Sequence, residues 1–121
     1  MSIRRFEDVE AWQLARELTK DVYALARKPA FAADFALKGQ ICGAAGSAMH
    51  NIAEGFDAES NKELIRFLRY AKRSCSEVQS QLYVAMDQGY IAKEEFEAVY
   101  QRARQARAAI HGFIKYLVRY E

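Results

Sequence analysis

Leu64, Leu68, Ala71, Cys75, Val78, Leu82 and Ala85 recur at steps of four and three residues without a break. No other feature of the chain restricts its fold as strongly. That spacing draws one apolar seam along an α-helix, and a seam this long must be buried against other helices. The helix has readable ends. Ser60-Asn61-Lys62-Glu63 has the form of a capping box, in which the Ser60 hydroxyl takes the Glu63 backbone N–H and the Glu63 side chain reaches back to Ser60. Gly89 stands where a helix C-terminus wants a positive φ, so the helix is predicted from that cap to about Gln88.

Three more segments carry helical spacing. From about residue 7 to 27, Ala11, Ala15, Leu18, Val22 and Leu25 alternate in the same way, with Trp12 and Leu14 widening the stripe. Lys28-Pro29 closes it, because a residue before proline is pushed out of the helical region. Pro29 to Asp34 reads as a short linker of small residues around Phe31. From about Phe35 to Phe56, Leu37, Ile41, Ala44, Ala48 and Ile52 face one way. From about Lys93 to Tyr120 the repeat is Phe96, Val99, Ala103, Ala106, Ile110, Phe113, Leu117 and Tyr120. Glu94, Glu95 and Glu97 crowd the start of that helix and Lys115 and Arg119 its end, both favourable to the helix dipole.

Strand alternation is absent, and the chain has one proline and six glycines in 121 residues. The fold expected is therefore all-α: a single domain, 1–121, built as an antiparallel up-down-up-down four-helix bundle. The second helix is peculiar. Gly39, Gly43 and Gly46 inside it cost about 1 kcal/mol each relative to alanine. Close approach of another helix, within the fold or across a subunit interface, would offset that. Gly55, followed by Asp57-Ala58-Glu59, is expected to break the helix.

Catalytic groups are few. Ser47, His50 and Glu54 line up on one face of the second helix, but a working triad gathers its members from different elements and needs an oxyanion hole. There is no Glu-x-x-His pair of the kind that di-iron bundles use, no zinc spacing and no phosphate loop. No catalytic residue, metal or cofactor is expected, and the chain reads as non-enzymatic. Cys42 and Cys75 form no CxxC and fall among apolar or small residues, as reduced, buried thiols do. No stretch is apolar for the ~18 residues that a membrane helix takes. Met1-Ser2-Ile3-Arg4-Arg5 leads straight into acidic residues rather than a signal segment, so a cytoplasmic location without membrane contact is expected.

Asn51 falls on the inner side of the second helix beside Ala48 and Ile52, and Glu54 sits near its end, where a carboxylate needs a partner. With Gly55 they read as a hydrogen-bonded or salt-bridged inner site that locks the turn between the second and third helices; contact with a ligand is the other reading.

Net charge is only +2, but its distribution is uneven. Lys62, Arg66, Arg69 and Arg73 form one stripe on the third helix, and Lys72 adds to it. Arg102 to Tyr120 contains no acidic residue, and Arg104, Arg107, His111 and Lys115 share a face there. Such stripes can track a phosphate backbone, and the excess of arginine over lysine favours phosphate contact. The alternative is an ordinary solvated face, neutralised by Glu17, Asp21 or Glu77. The seven tyrosines are too many for one core, so some are available for an interface or lie half-buried at bundle edges.

Phe6-Glu7-Asp8-Val9-Glu10-Ala11-Trp12-Gln13-Leu14-Ala15, Gln40-Ile41, Asn51-Ile52-Ala53-Glu54-Gly55-Phe56, Glu63-Leu64-Ile65-Arg66-Phe67-Leu68, Ala71-Lys72-Arg73-Ser74, Gln81-Leu82 and Gly89-Tyr90-Ile91 together resemble a known family. It is the bacterial four-helix bundle family named for 23S ribosomal RNA intervening sequences, similar in fold to the accessory variability proteins of diversity-generating retroelements. The resemblance spans nearly the whole chain. It implies a ring-like homo-oligomer, commonly a pentamer, with no known catalytic residues. In accessory members it also implies a basic surface that binds nucleic acid and a reverse transcriptase. Two positions depart from the family pattern: Met49 stands for a usual proline, and Cys42 and Gly43 stand for usual arginines.

The function expected is thus a homo-oligomeric adaptor that binds RNA, DNA or a nucleic-acid enzyme through Arg66, Arg69, Arg73, Arg104, Arg107 and Lys115. The alternative is a structural or protein-interaction module without nucleic-acid binding.

Overall fold

The computed structural model describes residues 3–120, so Met1, Ser2 and Glu121 lie outside the account that follows. Four long helices carry the fold: α1 (Glu10–Ala26), α3 (Phe35–Phe56), α4 (Asn61–Asp87) and α5 (Lys93–Arg119). A 3-10 turn at Phe6–Asp8 precedes α1, and a short helix α2 (Pro29–Ala33) stands between α1 and α3. No strand occurs among the described residues.

α2 replaces the expected linker. Proline suits the first turn of a helix, where its missing N–H is not needed, so Pro29 both ends α1 and starts α2. The short helix turns Phe31 fully inward, stacked on Tyr90 with ring centroids 5.4 Å apart. Asp34 completes this end of the molecule. One carboxylate oxygen accepts the Leu37 N–H at 3.1 Å and caps α3; the other accepts the Tyr90 O–H at 2.9 Å.

α4 ends as its sequence indicates. Gly89 has φ +76°, its N–H donates to Met86 and the Tyr90 N–H donates to Ala85. This double closure satisfies carbonyls that the helix leaves open. At the start of α4 the capping box is only half made. Ser60 Oγ accepts the Glu63 N–H at 3.2 Å, but the Glu63 carboxylate turns away to Arg66. A charged guanidinium one turn along is a stronger partner than a backbone amide. At α5 the Glu95 carboxylate accepts the Ala92 N–H at 2.8 Å and the Lys28 ammonium at 2.8 Å.

α3 and α4 pack together, as do α4 and α5, and α1 closes the ring against α3 and α5. Ser47 meets Ser74 while Gly55 meets Phe67; Ser76 meets Arg107 while Tyr83 meets Phe96; Asp21 meets Arg102 while Lys28 meets Glu95. In each pair the numbers rise along one helix as they fall along the other, so the packed helices run antiparallel. One cluster of buried side chains fills the ring, with Leu18, Val22, Ile41, Ile52, Leu68, Cys75, Val78, Leu82 and Ile110 all fully enclosed.

The apolar seam departs from the expected repeat at one end of the bundle. Ile65 rather than Leu64 is buried in α4, Ile114 rather than Phe113 in α5, and Tyr120 is 64% exposed. A straight helix has 3.6 residues per turn and drifts by ~20° per heptad against a strict seven-residue repeat. Over four turns the inward position slips to the neighbouring residue.

Candidate nucleic-acid interface

The network at Asn51 joins α3 to α4 instead of locking the turn between them. Asn51 Nδ2 donates to the Ser47 carbonyl at 2.8 Å and to Ser47 Oγ at 2.9 Å, and Ser74 of α4 donates its hydroxyl to Ser47 Oγ at 3.1 Å. Glu54 is not part of it. Its side chain is exposed and has no ion pair or hydrogen bond among the described residues, so it is not the inner carboxylate that its place near the helix end suggests. Nor does Gly55 break the helix. It is buried in the last turn of α3, where a Cβ would lie 2.8 Å from Phe67 Cβ and 3.0 Å from Leu64 Cδ1. At Gly55 α3 and α4 thus approach too closely for a side chain, whereas Gly39 and Gly43 face open space. Within one chain those two glycines accommodate no neighbouring helix.

Ser47, His50 and Glu54 do not assemble. The Ser47 hydroxyl is engaged by Asn51 and Ser74, and His50 is exposed with its ring over Gly46. Among the described residues no three His, Cys, Asp or Glu side chains converge as metal ligands would. Cys42 and Cys75 are buried free thiols, and burial pushes that of Cys75 up to about 12. A thiol held protonated in this way is a poor nucleophile.

The cations form a continuous surface over α4 and α5. The antiparallel register of those helices brings Arg69, Lys72, Arg73 and Ser76 opposite Arg107, His111 and Ile114, around a groove of about 380 Å³ with no carboxylate in its lining. A second hollow continues from it past Lys62, Glu63, Ile65, Arg66, Arg69, Tyr70, Arg73 and Val118. Arg69 and Arg73 border both.

Each cation is held differently. The Arg107 Nε donates to Ser76 Oγ at 2.9 Å, which fixes its guanidinium against α4. Arg73 lies over the Tyr70 ring, 5.0 Å from its centroid. Lys72 Nζ stands 3.1 Å from His111 Nδ1, the ammonium donating to the ring nitrogen. The charges of Lys72, with some burial and the further charges of Lys115 and Arg107, push His111 below the ordinary imidazole value. Arg66 is the exception, since its Nη2 pairs with Glu63 at 2.9 Å and its Nη1 donates to Tyr70 Oη at 3.0 Å. Arg69, Arg73, Arg104, Arg107 and Lys115 have no ion pair among the described residues. The carboxylates expected to neutralise them are used elsewhere or stand apart: Asp21 pairs with Arg102, Glu17 with Lys20, and Glu77 accepts from Gln81.

Of the six cations singled out from the sequence, Arg69, Arg73 and Arg107 share the groove, and Arg66 adjoins it through a neutralised pair. Arg104 and Lys115 are exposed on α5 outside its lining. Lys72 and His111 stood out only as members of stripes, and Ser76 carried no sequence signal, because its role depends on the register of α4 against α5.

Residues 7–112 match the model of a family described as 23S rRNA-intervening sequence protein. No curated protein matches the sequence. A crystal structure from Bacteroides thetaiotaomicron, described as a protein with unknown function from the S23 ribosomal protein family, is similar to this chain with a TM-score of 0.81. It shares 21% sequence identity, over 87% of this chain and 98% of that one, and the likeness bears on the fold.

Proposed function

The chain belongs to the 23S rRNA-intervening sequence protein family, and on that footing we propose that it is a non-enzymatic, cytoplasmic, homo-oligomeric bundle that binds nucleic acid through the basic face of α4 and α5. One observation carries this reading: Arg69, Lys72, Arg73, Arg107 and His111 converge on a groove without a carboxylate. Like charges held together in this way repel, and a bound polyanion relieves that repulsion while releasing its own counterions. The groove lies between two packed helices, and Ser76 and Tyr70 hold Arg107 and Arg73 against it.

A second reading is favoured by a separate observation. Phe35 is 81% exposed on the same helix as the open Gly39 and Gly43, while Val118 and Tyr120 are exposed at the end of α5. Phe35 beside the open glycines of α3, and Val118 with Tyr120 at the other end of the bundle, are separate apolar positions that suit contact with another protein chain, either a second copy or a nucleic-acid enzyme.

The test is binding of RNA and DNA by the purified protein over a salt series, with its mass in solution determined on the same sample. Affinity that falls steeply with salt, and falls further in Arg69→Glu/Arg73→Glu, is the expected result. A defined oligomer without affinity even at low salt would leave only the protein-interaction reading.

A further inference from the structure

We propose that the groove between α4 and α5 is a proton-coupled seat for a backbone phosphate of RNA or DNA, in which the phosphate replaces His111 as the acceptor for Lys72 and His111 takes up a proton from solvent. This inference rests on the nucleic-acid reading and deepens it.

The Lys72–His111 contact is a hydrogen bond of 3.1 Å between an ammonium, which can only donate, and Nδ1 of an imidazole. It exists only while that ring is neutral, because an imidazolium has no lone pair to offer. The surroundings keep it neutral. His111 is faced from α4 by Lys72, with Arg69 and Arg73 on the same groove wall, and from its own helix by Arg107 and Lys115. No carboxylate lines the groove. The groove thus limits its own repulsion by holding one potential cation neutral.

A phosphodiester oxygen is a better acceptor for Lys72 than an imidazole nitrogen, since it carries charge. Arg107 is already fixed by Ser76 through Nε, so its terminal nitrogens are left to reach an anion. Once a phosphate sits among these groups, its negative charge offsets part of the positive field of Lys72, Arg107 and Lys115, and the ring's affinity for a proton rises. The protonated ring then becomes one more cation against the backbone. Binding and proton uptake therefore strengthen each other by the same factor.

The probe is a single-stranded oligouridylate without terminal phosphates, because uracil does not titrate in the range used. Its affinity is measured at several salt concentrations at about pH 7.5 and about pH 5.5, on either side of the ordinary imidazole value. A rise of one unit in the His111 pKa on binding gives up to about tenfold tighter binding at the lower pH. The slope of log affinity against log salt steepens by about 0.7, the share of one added cation on a single strand. His111→Gln loses the pH dependence, so that its affinity is the same at both pH values. His50→Gln retains it, since His50 is exposed on α3 away from the groove. In nuclear magnetic resonance spectra, saturating oligouridylate raises the His111 titration midpoint.

Tight binding with no pH dependence, or a pH dependence that survives in His111→Gln, overturns the proton-coupled seat and leaves the nucleic-acid reading standing. No binding at either pH at low salt overturns both.

Discussion

Gly55 and Phe67 set how closely α3 and α4 approach, since a Cβ on Gly55 would stand 2.8 Å from the Cβ of Phe67. Neither atom can swing aside, because a Cβ moves only with its backbone. Gly55→Ala therefore forces the two helices apart at the end where Leu64 also packs. A loss of about 1–3 kcal/mol in unfolding free energy is expected from overpacking of this kind. Urea denaturation measures it, and an unchanged midpoint would mean that α3 can shift along α4 at no expense.

Gly39 and Gly43 make the opposite case. A Cβ at either position meets nothing within 4 Å. Alanine there should stabilise the isolated chain by up to about 1 kcal/mol per site, the difference in helix propensity. A lowered melting temperature together with a smaller mass in solution would put a neighbouring subunit against this face of α3.

Asn51 and Glu54 are adjacent turns of one helix with different weights. Asn51→Ala removes both bonds to Ser47 and leaves a half-buried carbonyl and hydroxyl with fewer partners. A cost of about 1 kcal/mol is expected. Glu54→Gln alters an exposed side chain without a partner among the described residues, and should stay within about 0.5 kcal/mol of the parent. Equal effects of the two in thermal unfolding would refute the division.

Glu63 holds Arg66 out of the cationic set by a two-point contact. Glu63→Gln removes one negative charge from the hollow beside the groove and frees that guanidinium. If the basic face binds nucleic acid, the variant binds more tightly at low salt. Its salt slope becomes steeper by about 0.7–0.9, the contribution of one further cation. Binding weaker than the parent would show that the Glu63–Arg66 pair itself contacts the ligand.

Glu95 gives the fold an acid-sensitive tie. The Ala92 N–H first, and then the Lys28 ammonium, hold its carboxyl below the usual carboxylate value. A depressed folded value means that this stabilisation is complete above the unfolded pKa, about 4.3, and is lost as the pH falls through the folded value below it. Melting temperatures measured from neutral pH downward should fall through that window, and Glu95→Gln should flatten the decline while lowering the plateau. The pair is partly exposed, so the effect is modest and shrinks with salt.

Much of this architecture is legible in the chain itself, because it depends on local spacing. The seam from Leu68 to Ala85, the Ser60 cap, the turn at Gly89 and the proline boundary at Pro29 each follow from groups within a few residues of one another. Periodicity alone read less well where the helix lost phase with a seven-residue repeat, so that Ile65 and Ile114 took the inward places expected of Leu64 and Phe113. Phe31 was masked by short range, since a five-residue helix has too few turns to show a pattern. The basic stripes were visible as stripes. Which of their members act together was not, because Arg66 is drawn to Glu63 and Arg104 lies beyond the groove lining.

By itself, then, the sequence determined that the chain is helical, where its long helices end, and which face of each turns inward over most of its length, since these depend on contacts one turn apart. Only the tertiary structure decided that Gly55 rather than Gly39 or Gly43 serves close packing, that Ser47, Asn51 and Ser74 form one network, and that Lys72 and Arg107 reach across to His111 and Ser76. Those relationships depend on the register of one helix against another. Register is set by how a whole core of side chains fills space, which no local spacing records.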